Sequence, residues 1–257
     1  MPAAYLPLFI TFTFVLTRVS GLVMTAPLFG SAEVPVRIRA LLALALALIV
    51  TPVQCSTPVA MPANLILYAI GMAGELSIGL ILGLGIMILL AGVQVAGQVI
   101  SQMSGMSLAD VFNPGFDSEV PIIAHMLHLV TVAVFVILGG HRLLVAALLD
   151  TYTFLPVGHA EFPPSAGGLI SALLAQSFSL AVRGAAPAMV ALLLATVVLG
   201  LISRTLPQLN ILAIGFGLNA LTTFLVLAIS IGAIAWLFQE QLEPAMEAIV
   251  EALRPAA

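Results

Sequence analysis

The longest apolar stretch of the chain, residues 65–100, reads LILYAIGMAGELSIGLILGLGIMILLAGVQVAGQVI and contains one charged side chain, Glu75. An α-helix rises about 1.5 Å per residue, so these 36 residues would extend to about 54 Å. The hydrocarbon core of a bilayer is only about 30 Å thick. The stretch therefore predicts a membrane-spanning helix that is longer than a single crossing requires.

The composition of the whole chain is that of a membrane protein. Of its 257 residues, 62% are hydrophobic and only 7% are charged, whereas roughly a quarter of the residues in a soluble domain are charged. All seven cationic residues are arginine, so there is no lysine for a P-loop, a Schiff base or a polybasic nucleic-acid arm. A soluble enzyme, a nucleotide hydrolase and a nucleic-acid-binding protein are excluded.

Other apolar runs accompany this stretch. The long ones occupy residues 5–29, 38–53, 122–138, 185–202 and 211–238, and two that are too short to span a bilayer alone occupy residues 143–149 and 169–182. The sequence therefore predicts an all-α polytopic membrane protein of one domain, with about six long helices, some of them broken or re-entrant, arranged as helical hairpins. The six arginines other than Arg18 divide three to three between the two sides of such a bundle, so the membrane orientation stays open.

Arg18 lies near the middle of the first apolar run, where an ionised side chain costs at least ~2.5 kcal/mol on insertion scales. Such a group faces protein or water. Thr11 and Thr25 lie seven residues to either side, so the three side chains form one polar stripe directed at a neighbouring helix. Two interpretations stay open: Arg18 forms an interhelical ion pair or binds carbonyl groups, or it takes part in coupling transport to charge.

Glu75 is the matching anion. It shares a four-residue helical ridge with Gly71, Gly79 and Gly83, and small residues on a ridge let a second backbone approach closely. Glu75 is therefore expected to face a tight helix contact. A buried ion pair with Arg18 is the simplest interpretation, while a contact with another subunit and a proton relay stay open.

Residues 101–121, SQMSGMSLADVFNPGFDSEVP, form a long polar and glycine-rich interruption between two apolar runs. Irregular segments of this length are usually functional or disordered. This one carries deformable or bulky apolar groups at Met103, Met106, Phe112 and Phe116, which an exposed linker would avoid. It is expected either to pack into a space elsewhere or to cover the end of its own bundle.

Residue patterns typical of catalysis or metal binding are absent from the sequence. There is no Gly-x-Ser-x-Gly motif, and the single Cys55 cannot form an internal disulfide or a cysteine metal cluster. His125 and His128 lack a carboxylate that would complete a zincin-type motif, and we expect both histidines in the interior of the bundle. No catalytic residue, cofactor or metal site is predicted.

Several stretches together resemble the FliR family, the membrane subunit of the flagellar type III export gate, whose relative in virulence secretion systems is called SctT. They are RVS at 18–20, APLFGS at 26–31, VPVRIR at 34–39, GQ at 97–98 running into residues 103–121, GGHR at 139–142, LLDTY at 148–152, PQLN at 207–210 and GF at 215–216. These stretches follow the family's order over nearly the whole chain. The amino-acid sequence at residues 35–39 and 207–210 favours the flagellar branch.

The resemblance implies a subunit of a hetero-oligomeric gate in the bacterial inner membrane, within the flagellar basal body, through which unfolded flagellar proteins leave the cytoplasm. It implies FliP-type and FliQ-type partner subunits, FlhB-type and FlhA-type export proteins, contact with membrane lipid, and no nucleic-acid partner. It also divides the chain into a FliP-like part, residues 1–184, and a FliQ-like hairpin with an acidic amphipathic tail, residues 185–257.

The same resemblance implies a role for the loop, because in the family the segment between the third and fourth runs contributes to closing the pore. That segment maps onto residues 103–119 here. The implied plug residues are Met103, Met106, Phe112, Asn113, Pro114 and Phe116. From the residues alone, the alternative function is a small-molecule or ion permease that uses Arg18 and Glu75.

The tail from residue 239 onward is amphipathic. Its apolar face carries Leu242, Met246, Ile249, Val250 and Leu253, and its polar face carries Glu240, Glu243, Glu247 and Glu251. Anionic lipid repels such a helix, so we expect it to dock on protein or to extend into water.

Overall fold

The computed structural model describes residues 2–31, 34–54, 63–105, 121–160, 165–205 and 211–254. Within these ranges the helices are α1 (Pro2–Thr25), α2 (Val36–Gln54), α3 (Leu65–Ser104), α4 (Ile122–Ile137), α5 (Gly140–Phe154), α6 (Ala166–Thr205) and α7 (Ile211–Leu253). Five of them, α1, α2, α3, α6 and α7, are long and apolar enough to cross a membrane. The pair α4 and α5 forms a sixth candidate span. The predicted class, an all-α polytopic membrane protein, is confirmed.

The sixth candidate span is a broken one, with a bend of 61° between α4 and α5. The break falls at Gly139, whose φ of 75° lies in the left-handed region that favours glycine. The Gly139 carbonyl accepts hydrogen bonds from the backbone N–H groups of Arg142 at 2.8 Å and Leu143 at 3.1 Å, so it starts α5. This break is an instance of the predicted interrupted helices.

Two expected helix boundaries are wrong. Residues 169–182 and 185–202, predicted as separate runs, belong to the single helix α6, which continues through Pro187. Residues 101–104, predicted as part of the loop, form the end of α3, which stops before Gly105 with its φ of 76°. In an apolar environment a broken helix leaves backbone N–H and C=O groups without partners, so helices continue past residues that would end them in water.

The acidic tail is the last part of α7, not a separate helix. Its apolar face is buried, at Leu242, Ala245, Met246, Ile249 and Leu253, and its four glutamates are exposed. Gly85 of α3 gives the Ile249 side chain room, because a Cβ at Gly85 would lie 2.9 Å from Ile249 Cγ1. The tail therefore docks on protein, which is one of the two predicted outcomes.

Contacts within the chain fall into two compact units. The first comprises Met1–Ile88, Leu138–Leu173 and Leu242–Ala257, and the second comprises Leu89–Ile137 and Leu174–Gln241. In the second unit, α3 and α4 touch at Gly97, where an added Cβ would lie 2.5 Å from the Ala124 Cα. In the same unit the Gln176 Nε2 donates a hydrogen bond to the Gln241 Oε1 at 2.7 Å. The candidate site lies entirely in the first unit.

Candidate functional site: a buried arginine cluster

Glycines on α3 let α1 lie directly against it. An added Cβ at Gly79 would collide with the Arg18 carbonyl oxygen and would lie 2.8 Å from the Leu22 backbone nitrogen. An added Cβ at Gly83 would collide with the Thr25 hydroxyl and lie 2.9 Å from the Thr25 carbonyl carbon. Every residue other than glycine carries a Cβ, so only glycine permits this short separation of the two backbones. The predicted glycine ridge is thus the surface on which α1 rests.

The close approach places Arg18 of α1 beside Glu75 of α3. The Arg18 Nε donates a hydrogen bond to the Glu75 Oε2 at 2.5 Å, and both side chains are 0% exposed. A buried charge is tolerated when an opposite charge and hydrogen bonds replace its water. Of the interpretations that the sequence left open for Arg18, the structure thus shows an interhelical ion pair.

The segment from α5 onward completes the polar surroundings of the pair. The Arg18 Nη1 donates to the Thr151 Oγ1 at 2.9 Å, and the Nη2 donates to the Leu155 carbonyl at 3.0 Å. On the other side, the Gly158 N–H donates to the Glu75 Oε1 at 2.8 Å. The pair therefore joins three parts of the chain that are far apart in sequence, which are α1, α3 and residues 151–158.

Residues 155–160 follow α5 as a turn whose backbone is shaped for this contact. Gly158 has a φ of 83°, which places its N–H toward Glu75 in a conformation that other residues rarely adopt. Gly74, the residue before Glu75, leaves room for the Ala160 carbonyl, which a Cβ at that position would strike. Two glycines that flank the Glu75 contact thus hold this turn against α3.

The Tyr152 ring covers the guanidinium. The Arg18 Cζ lies 4.2 Å from the ring centroid, a cation–π distance, and Tyr152 is only 4% exposed. Among the residues that the structure describes, no group forms a hydrogen bond with the Tyr152 hydroxyl. The ring, not the hydroxyl, is what this residue contributes to the cluster.

This division of roles predicts opposite results for two substitutions of Tyr152. We expect Tyr152→Phe to leave the free energy of unfolding within ~0.5 kcal/mol of the wild type or to raise it, because it removes a buried hydroxyl without a partner. We expect Tyr152→Leu to lower it by ~1–2 kcal/mol, because the cation–π contact is lost. Thermal unfolding of the purified chain in detergent measures both; equal destabilisation by the two substitutions would show that the hydroxyl matters.

The remaining residues singled out in the sequence lie elsewhere. Met103 is half-buried in the last turn of α3, and the other five implied plug residues, Met106, Phe112, Asn113, Pro114 and Phe116, fall outside the described residues. His125 is exposed on α4, so its expected place in the bundle interior is wrong. Within the described part of the chain, no three His, Cys, Asp or Glu side chains are grouped to hold a metal ion.

Thr151, Tyr152, Leu155 and Gly158 were not recognised as members of this cluster from the sequence. The first two lie in the LLDTY stretch at 148–152, which resembles the FliR family, so a signal for their importance existed. Leu155 and Gly158 contribute backbone groups only, and a backbone carbonyl or N–H has no signature in the residue type.

Comparison with known proteins gives a consistent result. A sequence model of the family described as bacterial export proteins, family 1, matches residues 9–245. This range contains every member of the buried cluster.

Three similar proteins are each named flagellar biosynthetic protein FliR. The protein from Caulobacter vibrioides is 30% identical over 227 residues, covering 88% of this chain and 90% of that protein. The protein from Bacillus subtilis (strain 168) is 30% identical over 234 residues, covering 88% of both chains. The protein from Escherichia coli (strain K12) is 29% identical over 209 residues, covering 79% of this chain and 77% of that protein.

Proposed function

Because the chain belongs to the FliR family of bacterial export proteins, we propose that it is a subunit of the flagellar type III protein export gate. It forms part of the channel through which unfolded flagellar proteins cross the bacterial inner membrane, within the flagellar basal body. The observation that carries the proposal is the family match over residues 9–245, which covers most of each of the seven described helices. The role requires no catalytic residue.

The surface of the chain is suited to contact with partner subunits. Both α6 and α7 carry many exposed apolar side chains. Examples are Val190, Leu193, Leu194, Val197, Leu201, Leu221, Phe224, Leu225, Ile229 and Trp236. Contiguous exposed apolar area marks contact with protein or with membrane. We assign FliP-type and FliQ-type subunits, FlhB-type and FlhA-type export proteins and lipid as the neighbours, with residues 1–184 as a FliP-like part and 185–257 as a FliQ-like part.

The buried arginine cluster supports a structural role in this subunit. Arg18 and Glu75 pair with each other, and protein groups bind both charged ends. A permease that used these residues for transport would have to expose them to its solute, whereas both are 0% exposed. The permease alternative is therefore not favoured, and the cluster serves to hold α1, α3 and residues 151–158 together.

We propose that the segment from Met103, in the last turn of α3, to residue 119 is the plug that fills the pore of the closed gate. Deleting residues 105–115 should leave the helices assembled but make the membrane leaky to ions or small solutes, because loops tolerate removal better than packed helices do. Conductance of vesicles that carry the assembled gate measures the leak. A control of unchanged loop length, in which Met106, Phe112 and Phe116 become Ser, should leak as well, since Met and Phe supply the seal. A tight deletion variant would rule out the plug.

The proposed function is tested by deleting the gene in its own host and restoring it on a plasmid. We expect the deletion to abolish motility and the release of flagellar filament protein into the medium, and the wild-type gene to restore both. Co-purification of FliP-type and FliQ-type subunits with the tagged chain is the second readout. Normal filament export in the deletion strain would overturn the proposal.

A further inference from the structure

An apolar groove runs along the first two helices, which lie antiparallel. One cavity of about 710 Å³ is lined by Leu16 and Met24 of α1 and by Ala40 and Leu44 of α2, among others. A second cavity, of about 380 Å³, continues along the same pair of helices between residues 8–12 and 48–52. At 1.5 Å per residue the two together extend over about 24 Å, from residue 8 to residue 24 of α1.

The walls of this groove are apolar along its length. Three hydroxyl groups line it, but each donates to a carbonyl of its own helix: Thr17 to Thr13 at 2.7 Å, Ser20 to Thr17 at 2.9 Å and Thr51 to Ala47 at 2.6 Å. All three hydroxyl protons are therefore directed at their own helix. The groove offers its occupant mostly methyl and methylene groups.

One end of the groove is positively charged. Among the described residues that line it, Arg39 is the charged one, and it lies one turn into α2, near the connection to α1. Its Nε donates to the Val34 carbonyl at 3.0 Å and its Nη2 donates to the Ser31 carbonyl at 2.6 Å, which holds the guanidinium at this end. A guanidinium has five N–H groups, so it can also bind an anion there.

We propose that this groove binds an anionic phospholipid, with the phosphate at Arg39 and an acyl chain lying between α1 and α2. A single cation at one end of a long apolar channel matches a molecule that has a single anionic headgroup and an apolar chain. One leaflet contributes about half of a core roughly 30 Å thick, so a groove of about 24 Å accommodates the chain and the headgroup linkage. Exposed apolar side chains, including Met24 and Leu48, border the groove, so lipid can enter from the bilayer.

The test uses the full chain, with any subunits that remain bound, in nanodiscs containing equal parts of phosphatidylglycerol and phosphatidylcholine. Native mass spectrometry then counts the retained phospholipids of each kind. We expect preferential retention of phosphatidylglycerol in the wild type and a drop of about fivefold in that preference for Arg39→Gln. Arg37→Gln is the matched control, because Arg37 is exposed on the same helix but does not line the groove, and it should retain the wild-type preference.

A second pair of variants tests the apolar part. Ala40→Phe fills the groove and should reduce retained lipid of both kinds, whereas Ala45→Phe adds the same ring at an exposed position outside it and should not. A photoreactive residue at position 40 identifies the occupant directly, even where a variant folds poorly. An adduct with the mass of one phospholipid supports the proposal. An adduct with a polypeptide, or unchanged retention in both Arg39→Gln and Ala40→Phe, overturns it.

Discussion

Replacing Glu75 by alanine should lower the free energy of unfolding by ~3–5 kcal/mol, the range measured when one partner of a buried ion pair is removed. The substitution leaves the Arg18 guanidinium buried without its counter-charge and leaves the Gly158 N–H without its acceptor. Glu75→Gln should be milder, because an amide oxygen still accepts one of these two hydrogen bonds. The order of stability is therefore wild type, then Gln, then Ala.

The measurement is thermal unfolding of the purified chain in mild detergent, followed by the yield of complex with its partner subunits. Glu251→Ala is the control, since Glu251 and Arg254 form an exposed ion pair at 3.4 Å, with 74% and 58% of their side chains accessible. An exposed pair contributes at most ~1 kcal/mol, so the same chemical change should have little effect there. Equal effects at positions 75 and 251 would mean that the buried pair does not stabilise the fold.

A double replacement separates the charge from the shape. In Arg18→Met with Glu75→Leu, no charge remains buried, and apolar pairs of similar volume are often neutral or stabilising relative to a buried ion pair. We expect this double variant to be more stable than Glu75→Ala. If it is stable but does not support export of filament protein, the charges themselves serve the gate, and the cluster is more than a structural clamp.

The sequence was informative where physics leaves few options. A charge inside an apolar run is rare and expensive, so Arg18 and Glu75 stood out, and the glycines spaced four residues apart pointed to the tight contact beside them. Thr151 and the Leu155 carbonyl did not stand out, because they lie 133 and 137 residues from Arg18 in the chain. Their contribution depends on how α5 returns to α1, which no local pattern specifies.

Helix boundaries, too, were predictable from the sequence at some positions and not at others. The break at Gly139 is visible in the sequence because two consecutive glycines interrupt an apolar run, and the structure bends there by 61°. The sequence prediction divided α6 into two runs, because Arg183 and Gly184 interrupt the apolar pattern between residues 182 and 185. In the second unit, a Cβ added at Gly184 would lie 3.6 Å from side-chain atoms of Ala96 and Ile234, an ordinary van der Waals distance, so neighbouring helices surround this position. Gly and Pro are tolerated inside membrane helices when neighbouring helices support them.

Gly79→Ala should be destabilising by about 3 kcal/mol, the upper end of the range for overpacking. Its Cβ would collide with the Arg18 carbonyl and lie 2.8 Å from the Leu22 nitrogen, and both are backbone atoms that cannot rotate away. The two helices would have to separate, and that separation would lengthen the Arg18–Glu75 bond on the adjacent turn. One methyl group is thus expected to disturb the whole cluster.

The sign of the effect should reverse at Gly200, a glycine inside α6. Apart from its chain neighbours and the backbone of its own helix, no described atom lies within 4 Å of the position that a Cβ would take there, so Gly200→Ala adds no clash. Alanine favours a helix by up to ~1 kcal/mol over glycine, so we expect this variant to be as stable as the wild type or more stable. Thermal unfolding of both variants distinguishes the effect of the helix contact from that of helix propensity, because helix propensity alone would make both substitutions stabilising. Only direct contact of the α1 and α3 backbones makes Gly79→Ala destabilising, and a stabilised Gly79→Ala would show that the two helices do not cross at this glycine.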